Sequence, residues 1–186
     1  MLRDDFLKYQ AKTTPYPMGM EVKRAKGCYI IGQKGKKYLD FIAGVSACSI
    51  GHRHPAVVCA MKKQLNLYMH VMVYGEYVQT PAVELCKLLA QQLPSSLEVT
   101  YLTNSGTEAI EGAMKLAKRV TGKKGFVAAK QAYHGSTQGA LSLLGVEEQK
   151  KGYHPLLEEV DFISFNDETE LDKINKNTAA VVLETI

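Results

Sequence analysis

The fold is decided by one stretch of the chain, Val99-Thr100-Tyr101-Leu102-Thr103-Asn104-Ser105-Gly106-Thr107-Glu108-Ala109. Its first part is rich in β-branched and aromatic residues, which predicts a strand over 99–104. Ser105-Gly106-Thr107 is typical of a turn, and a helix is expected to open directly after it, at Glu108. The chain therefore passes from strand to helix through a short turn.

The helix that follows has a clear apolar face. Five apolar residues recur at helical spacing: Ile110, Ala113, Met114, Ala117 and Val120. Charged residues, Glu111 among them, occupy the other face, so the 3.6-residue period is well obeyed. This pattern predicts a helix that packs flat on a sheet.

The start of this helix has the properties of an anion site. The first backbone N–H groups of a helix lack intrahelical partners, and the helix dipole adds partial positive charge there. Gly106 allows close approach of a ligand, and the hydroxyl groups of Ser105 and Thr107 are further donors. The alternative is a capping box, because Ser105-x-x-Glu108 has its spacing and would satisfy the same N–H groups with protein atoms. The spacing alone leaves both interpretations open.

A second motif lies about thirty residues further on. Gly125 to Lys130 reads as another strand, and it leads into Ala132-Tyr133-His134-Gly135-Ser136-Thr137. Strands are also expected at 160–165 and 179–184, with helices at 106–121 and 167–175. Alternating strands and helices of this kind predict a largely parallel sheet, with ligands bound off the carboxyl ends of its strands. Both motifs fall at that edge.

Together the two motifs resemble a known family. Asn104-Ser105-Gly106-Thr107-Glu108-Ala109, followed by Tyr133-His134-Gly135-x-Thr137, is similar to the class III pyridoxal-phosphate aminotransferases. The resemblance extends to Gly35-x-x-Tyr38-Leu39-Asp40-Phe41, to Ile50-Gly51-His52-x-His54-Pro55 and to the strand that ends in Glu184. It implies an α/β fold of the PLP-transferase type (fold type I), with a three-layer, mostly parallel sheet preceded by a small N-terminal β-meander.

The resemblance also implies domains and a cofactor, pyridoxal 5'-phosphate. Residues 1–45 are expected to belong to the small domain, and residues 46–186 to the N-terminal part of the large cofactor-binding domain, truncated at Ile186. The residues expected to bind the cofactor are Ser105, Gly106 and Thr107 at the phosphate, Tyr133 stacked on the pyridine, His134 shaping the turn, and Glu184 near the ring. Thr185 stands where the family usually has proline.

The function implied is transamination between an amine or ω-amino acid donor and a 2-oxo acid acceptor. No catalytic residue is assigned, since the family's lysine that attaches the cofactor and its acidic partner of the pyridinium nitrogen lie downstream of Ile186. Ser136 stands where acetylornithine- and ornithine-specific members tend to have an arginine that grips an α-carboxylate, which counts against those substrates. The alternatives are a non-catalytic fragment used in dimerisation or phosphate-ester binding, and an aminomutase or decarboxylase of the same fold.

Composition argues against nucleic acids and membranes as binding partners. The net charge of +4 is spread along the chain, which argues against nucleic-acid binding. The 4 cysteines form no C-x-x-C pair, the N-terminus has no apolar leader, and no apolar run is long enough for a membrane span. We therefore expect a cytoplasmic protein, and the resemblance implies a homodimer that acts on small molecules. His52-x-His54 invites a metal hypothesis, but turn geometry before Pro55 is the favoured interpretation, and no metal is expected.

The first half of the chain is expected to hold a helix over 4–12, three short strands at 21–25, 28–31 and 37–41, and helices at 55–69 and 81–93. In the last two helices the apolar residues expected to face the core are Met61, Leu65, Tyr68, Met69, Val83, Leu85, Leu88 and Leu89.

Overall fold

The computed structural model describes residues 2–72 and 75–185. The chain divides into two compact units, Met1–Val78 and Gln79–Ile186. The predicted domain boundary between residues 45 and 46 lies inside the first of these units and stays a prediction.

The first unit contains the predicted meander. Helix α1 (Leu2–Tyr9) is followed by strands β1 (Val22–Lys26), β2 (Tyr29–Gly32) and β3 (Lys37–Leu39), which form an antiparallel sheet in the order β1-β2-β3. Gly27, at φ 56°, makes the turn between β1 and β2, in a region that favours glycine. Helix α1 begins and ends earlier than the sequence indicated.

Helix α2 (Pro55–Leu65) completes the first unit. It starts with proline in its first turn, as predicted, because the missing N–H costs nothing there. It ends four residues before the expected Met69. The carbonyl of Gln64 accepts the amides of Leu67 (2.9 Å) and Tyr68 (3.1 Å), and this tightened last turn stops the helix.

The second unit is α/β. Helix α3 (Thr80–Gln92) and helix α4 (Gly106–Thr121) precede strand β4 (Gly125–Ala129). A short helix, α5 (Gln138–Ser142), then strands β5 (Val160–Ile163) and β6 (Thr178–Val182) complete it. Strand β4 lies between β5 and β6 and pairs in parallel with both. The parallel sheet is confirmed.

Two predicted elements of the second unit are wrong. Residues 99–104 form no strand, because no other strand of the described chain lies alongside to exchange hydrogen bonds with them. The ring of Tyr101 instead lies against α4 at Gly112, 3.1 Å from where a Cβ would stand. The helix expected at 167–175 is a 3-10 helix, Glu168–Lys173, which Asp167 caps by accepting the amide of Thr169.

The core of the second unit lies between α4 and the sheet. Met114 on α4 packs with Phe126 and Ala128, which share one face of β4, and with Leu143 after α5. Val127 and Ala129 on the other face of β4 are buried too, as expected for a central parallel strand. Of the five predicted stripe residues, Ala113 and Val120 are exposed, so the stripe that meets the sheet is narrower than predicted.

The apolar faces of α2 and α3 are not buried, contrary to the prediction. Neither helix contains a buried residue, and Met61, Leu65, Val83, Leu85 and Leu88 are 44–61% exposed. The periodicity of these helices was read correctly, but within the described residues no element covers their apolar sides.

Candidate functional site

The N-terminus of α4 carries the capping box that the sequence left as an alternative. Ser105 is the N-cap residue: its Oγ accepts the amide of Glu108 at 3.3 Å and donates to Glu108 Oε2 at 3.1 Å. The same carboxylate oxygen accepts the amide of Asn104 at 2.9 Å. In this structure the Ser105 hydroxyl is thus hydrogen-bonded within the protein, and its part in cofactor binding stays a prediction.

The capping box does not fill the anion site. The amides of Gly106 and Thr107 have no acceptor within residues 2–72 and 75–185, and they are the first two amides of the helix. A Cβ built on Gly106 would meet nothing within 4 Å, so the space beside this first residue of the helix is open. Both interpretations of the turn thus hold together: the side chains cap the helix, and two backbone donors stay available.

The second motif packs directly on this turn, as predicted. Thr107 Oγ1 lies 2.7 Å from Thr137 Oγ1, and it accepts the amide of Thr137 at 3.4 Å. Gly135 makes the approach possible, because a Cβ at this residue, whose φ is 135°, would stand 2.3 Å from Thr107 Oγ1. Two motifs thirty residues apart thus form one surface.

Tyr133, His134 and Glu184 lie at the carboxyl edge of the sheet. Tyr133 follows β4, and its amide donates to Glu184 Oε1, which follows β6, at 2.8 Å. The Tyr133 side chain is 62% exposed, whereas His134 is buried. His134 Nε2 has no hydrogen-bond partner in the described part of the chain.

Glu111 is a site residue that sequence analysis missed. Its Oε1 accepts the Thr137 hydroxyl at 2.6 Å and the amides of Gly139 (2.8 Å) and Ala140 (3.1 Å) at the start of α5. Burial raises the pKa of Glu111, but the bonds from Thr137, Ala140 and Gly139 outweigh it, and the pKa is lowered overall. Its position one turn after Thr107, on the polar face of α4, was the signal available in the sequence.

A second carboxylate, Glu170, fixes the end of β5. It accepts hydrogen bonds from Lys130 Nζ (2.6 Å), Lys173 Nζ (3.3 Å) and the amide of Ser164. The Lys130 contact, with the Ser164 amide next in weight, lowers the pKa of Glu170 from 4.5 to about 2. Lys130 also borders a cavity of about 520 Å³ at the carboxyl edge, which Glu184 lines from the other side.

The His52-x-His54 motif lies in the first unit and forms a turn, as favoured. His52 Nε2 stands 2.6 Å from Asp40 Oδ2, and the amide of His52 donates to the Gly27 carbonyl. Asp40 Oδ1 accepts the amides of Ile42 and Ala43, and the His52 contact above all holds the pKa of Asp40 below its usual value. Searching the described residues, we find no group of three His, Cys, Asp or Glu side chains that could hold a metal ion.

In the described parts of the chain, no helix is both long enough and apolar enough to cross a bilayer.

Fold and site together define a class. A helix N-terminus with two free amides, an exposed aromatic side chain and a carboxylate meet at the carboxyl edge of a parallel sheet, where proteins of this architecture bind phosphate-bearing ligands. The family model for class-III aminotransferases matches residues 9–186. The chain belongs to this family, whose cofactor is pyridoxal 5'-phosphate.

Relatives of known activity agree with this assignment. The chain is 39% identical to an acetylornithine aminotransferase of Archaeoglobus fulgidus, over 89% of the chain and 43% of the relative. It is 34% identical to a [LysW]-aminoadipate semialdehyde/glutamate semialdehyde transaminase of Sulfolobus acidocaldarius, over 90% of the chain and 43% of the relative. The chain thus spans less than half the length of these two enzymes.

Solved structures show the same fold. An adenosylmethionine-8-amino-7-oxononanoate aminotransferase of Methanocaldococcus jannaschii matches with a TM-score of 0.85 and 26% identity, over 97% of this chain and 45% of that one. A taurine:2-oxoglutarate aminotransferase of Bifidobacterium kashiwanohense, solved with PLP and glutamate, matches with a TM-score of 0.85 and 21% identity, over 100% of this chain and 47% of that one. The PLP-transferase fold of type I is confirmed.

Proposed function

We propose that this chain forms the cofactor-phosphate side of a transaminase that moves an amino group from an amine or ω-amino acid donor to a 2-oxo acid. The observation that carries the proposal is the meeting of the two motifs at Thr107 and Thr137, whose hydroxyl oxygens are 2.7 Å apart. This contact joins the loops that carry Gly106 and Tyr133, which supports a shared cofactor site, and the family membership supports the reaction class.

The residues at the start of α4 fit the phosphate of the cofactor. The amides of Gly106 and Thr107 supply two donors at the positive end of the helix dipole. The open space beside Gly106 admits an anion without displacing protein atoms. In this proposal Ser105 contributes by holding the helix end in place, since its own hydroxyl is bonded to Glu108.

Tyr133, His134 and Glu184 would receive the ring. The exposed Tyr133 side chain is free to lie against one face of the pyridine, while the buried His134 fixes the turn that presents it. Glu184 holds the backbone of Tyr133 and borders the open edge. When bound, pyridoxal phosphate supplies the electron sink for bond cleavage at the carbon that bears the amine. The protein's part here is to bind and orient.

Ser136 is the basis for the proposed donor class. Ser136 is exposed, and it follows Gly135, which contacts the turn Ser105-Gly106-Thr107, here called the phosphate turn. A serine hydroxyl cannot replace the two parallel hydrogen bonds that an arginine offers to an α-carboxylate. We therefore propose ω-amino acids, diamines or related amines as donors. This proposal separates the chain from the acetylornithine aminotransferases among its relatives.

We also propose a cytoplasmic homodimer with no nucleic-acid or membrane partner. Support for the compartment comes from the cysteines at 28, 48, 59 and 86, which are all free thiols. Support for self-association comes from the exposed apolar faces of α2 and α3.

The test is a survey of amine donors with added pyridoxal phosphate, using the whole enzyme of which we propose this chain to be the N-terminal part. Turnover of diamines or ω-amino acids, with 2-oxoglutarate as acceptor and little turnover of N-acetylornithine, is the expected result. Ser136→Arg should then raise the relative rate with N-acetylornithine, and Ser136→Thr is the matched control. Cofactor binding without turnover of any amine would favour the non-catalytic alternative, and preferred turnover of N-acetylornithine by the native protein would overturn the donor class.

A further inference from the structure

The hydrogen bond between the Thr107 and Thr137 hydroxyls, at the phosphate turn, has a direction that the neighbouring carboxylate determines. Glu111 Oε1 receives three donors: the Thr137 hydroxyl at 2.6 Å and the amides of Gly139 and Ala140. An ionised carboxylate has no proton to give and can only accept. The single proton of the Thr137 hydroxyl is therefore committed to Glu111.

This commitment fixes the next bond in the chain. Thr137 Oγ1 and Thr107 Oγ1 are 2.7 Å apart, which is a hydrogen bond that either oxygen could donate. Since the Thr137 proton already points to Glu111, the proton in this bond must come from Thr107. Thr107 Oγ1 also accepts the amide of Thr137 at 3.4 Å.

The Thr107 side chain has little freedom to change this arrangement. The backbone of Gly135 is so close that a Cβ there would stand 2.5 Å from Thr107 Cβ and 2.3 Å from its Oγ1. A hydroxyl carries one proton, and that of Thr107 points into the protein.

We propose that Glu111 is a positioning residue: through Thr137, it holds the Thr107 hydroxyl as a hydrogen-bond donor to Thr137. The cofactor phosphate is then bound by the backbone amides of Gly106 and Thr107 and receives no hydrogen bond from the Thr107 hydroxyl. The inference rests on the proposed function, because it presupposes that the turn takes the phosphate. It also replaces the sequence-based expectation that this hydroxyl is a phosphate donor.

The test compares two ligands on the intact apo-protein, pyridoxal phosphate and pyridoxal, which lacks the phosphate. The ratio of their dissociation constants, from fluorescence titration, isolates the phosphate contacts from those to the ring. In Thr107→Val this ratio should change by less than about threefold, because the lost hydroxyl was not a phosphate donor. A hydroxyl that donates to a charged phosphate should be worth about tenfold or more.

A double-mutant cycle separates the proposed hydrogen-bond direction from a general structural effect of the substitutions. Thr137→Val removes the acceptor of the Thr107 proton and frees that hydroxyl to turn to the phosphate. Thr107→Val should therefore weaken pyridoxal phosphate binding by about tenfold in the Thr137→Val background, although it is nearly silent alone. Glu111→Ala removes the acceptor of the Thr137 proton, so the direction of the Thr107–Thr137 bond is no longer fixed, and Thr107→Val should weaken pyridoxal phosphate binding in this background too. Thr107→Ala replaces Thr107→Val if the valine does not fit beside Gly135.

The outcomes are distinct. Suppose that Thr107→Val alone binds pyridoxal phosphate tenfold more weakly while its pyridoxal binding is unchanged. The hydroxyl would then donate to the phosphate, and the inference would be overturned. Equal effects of Thr107→Val in the native and in the Thr137→Val background would overturn it too. If the native protein binds pyridoxal as tightly as pyridoxal phosphate, the proposed phosphate site itself fails.

Discussion

Glu184 Oε1 accepts the backbone amide of Tyr133 at 2.8 Å, and this bond ties together two loops that are 51 residues apart in sequence. Because the donor is a backbone amide, the identity of the tyrosine side chain does not affect it. Glu184 thus fixes the backbone position from which the Tyr133 side chain extends.

The first prediction follows from this bond. Glu184→Ala leaves the Tyr133 amide without its acceptor, so the loop should loosen and pyridoxal phosphate should bind about threefold to tenfold more weakly. Glu184→Gln keeps an acceptor oxygen and should stay within about twofold of the native protein. Hydrogen exchange of the Tyr133 amide checks the cause: it should accelerate in the alanine variant only, and equal exchange in all three proteins would contradict this account.

The second prediction concerns Gly106. Gly106→Val should leave the fold intact, since a Cβ there meets nothing within 4 Å, yet it should reduce cofactor affinity by tenfold or more by filling the space before the amides. Circular dichroism and fluorescence titration measure the two effects. Gly152→Val is the matched control, because Gly152 is equally open and lies outside both motifs. Full cofactor retention in Gly106→Val would argue against the phosphate site.

The third prediction separates the ring of Tyr133 from its hydroxyl. Stacking of an aromatic ring contributes about 0.5–1.5 kcal/mol beyond burial, so Tyr133→Ala should weaken cofactor binding roughly 2- to 12-fold. Tyr133→Phe keeps the ring and should be nearly silent. Equal losses in the two variants, measured by the same titration, would mean that the hydroxyl matters and that stacking is the wrong description.

Much of the fold could be predicted because its signals are local. Helix α4 follows from its 3.6-residue period and from the capping box at Ser105, and β4 from its run of apolar residues. The strand at 99–104 could not be excluded from sequence, because strand formation depends on a neighbouring strand and not on composition. The exposure of α3 was missed for a similar reason, since periodicity indicates which face is apolar but not what covers it.

Only the site residues that lie within the recognisable sequence motifs could be predicted. The contact between the two motifs, seen at Thr107 and Thr137, could be predicted because both motifs fall at the carboxyl edge. The role of Glu111 could not be predicted, because Glu111 bonds to Thr137 and Gly139, which are 26 and 28 residues away. No local sequence pattern indicates a hydrogen bond over that separation. Sequence shows that Ser105 and Thr107 carry hydroxyl groups, but it does not show the contacts that these hydroxyls make with Glu108 and Thr137.

The fourth prediction concerns pH and Glu170, whose pKa is lowered from 4.5 to about 2 by Lys130 and Ser164. A carboxyl group whose pKa is lower in the folded state stabilises the fold above its unfolded pKa, and this stabilisation is lost as the pH falls through the folded value. The difference in unfolding free energy between the native protein and Glu170→Gln should therefore be full near pH 7, shrink below about 4.5, and vanish near 2.

Urea denaturation at a series of pH values measures this difference. Glu168→Gln is the control, because Glu168 is an exposed carboxylate of the same 3-10 helix. A difference for Glu170→Gln that stays constant across the whole range would mean that the charge of Glu170 does not stabilise the fold.

The last prediction is that residues 1–186, produced alone, associate with each other and do not catalyse transamination. Helix α3 exposes an apolar face on which Val83 and Leu88 are 49% and 57% accessible, and Leu183, just after β6, is 50% accessible. Exposed apolar faces and strand edges of this kind favour association, because burying them removes apolar surface from water. Sedimentation at micromolar concentration should therefore show dimers or larger species. Leu88→Glu should shift them towards monomer, whereas Gln91→Glu, which adds the same charge to the same helix, should not. A native chain that sediments as a monomer would contradict the folding argument, and turnover by this chain alone would require one of its own lysines to attach the cofactor.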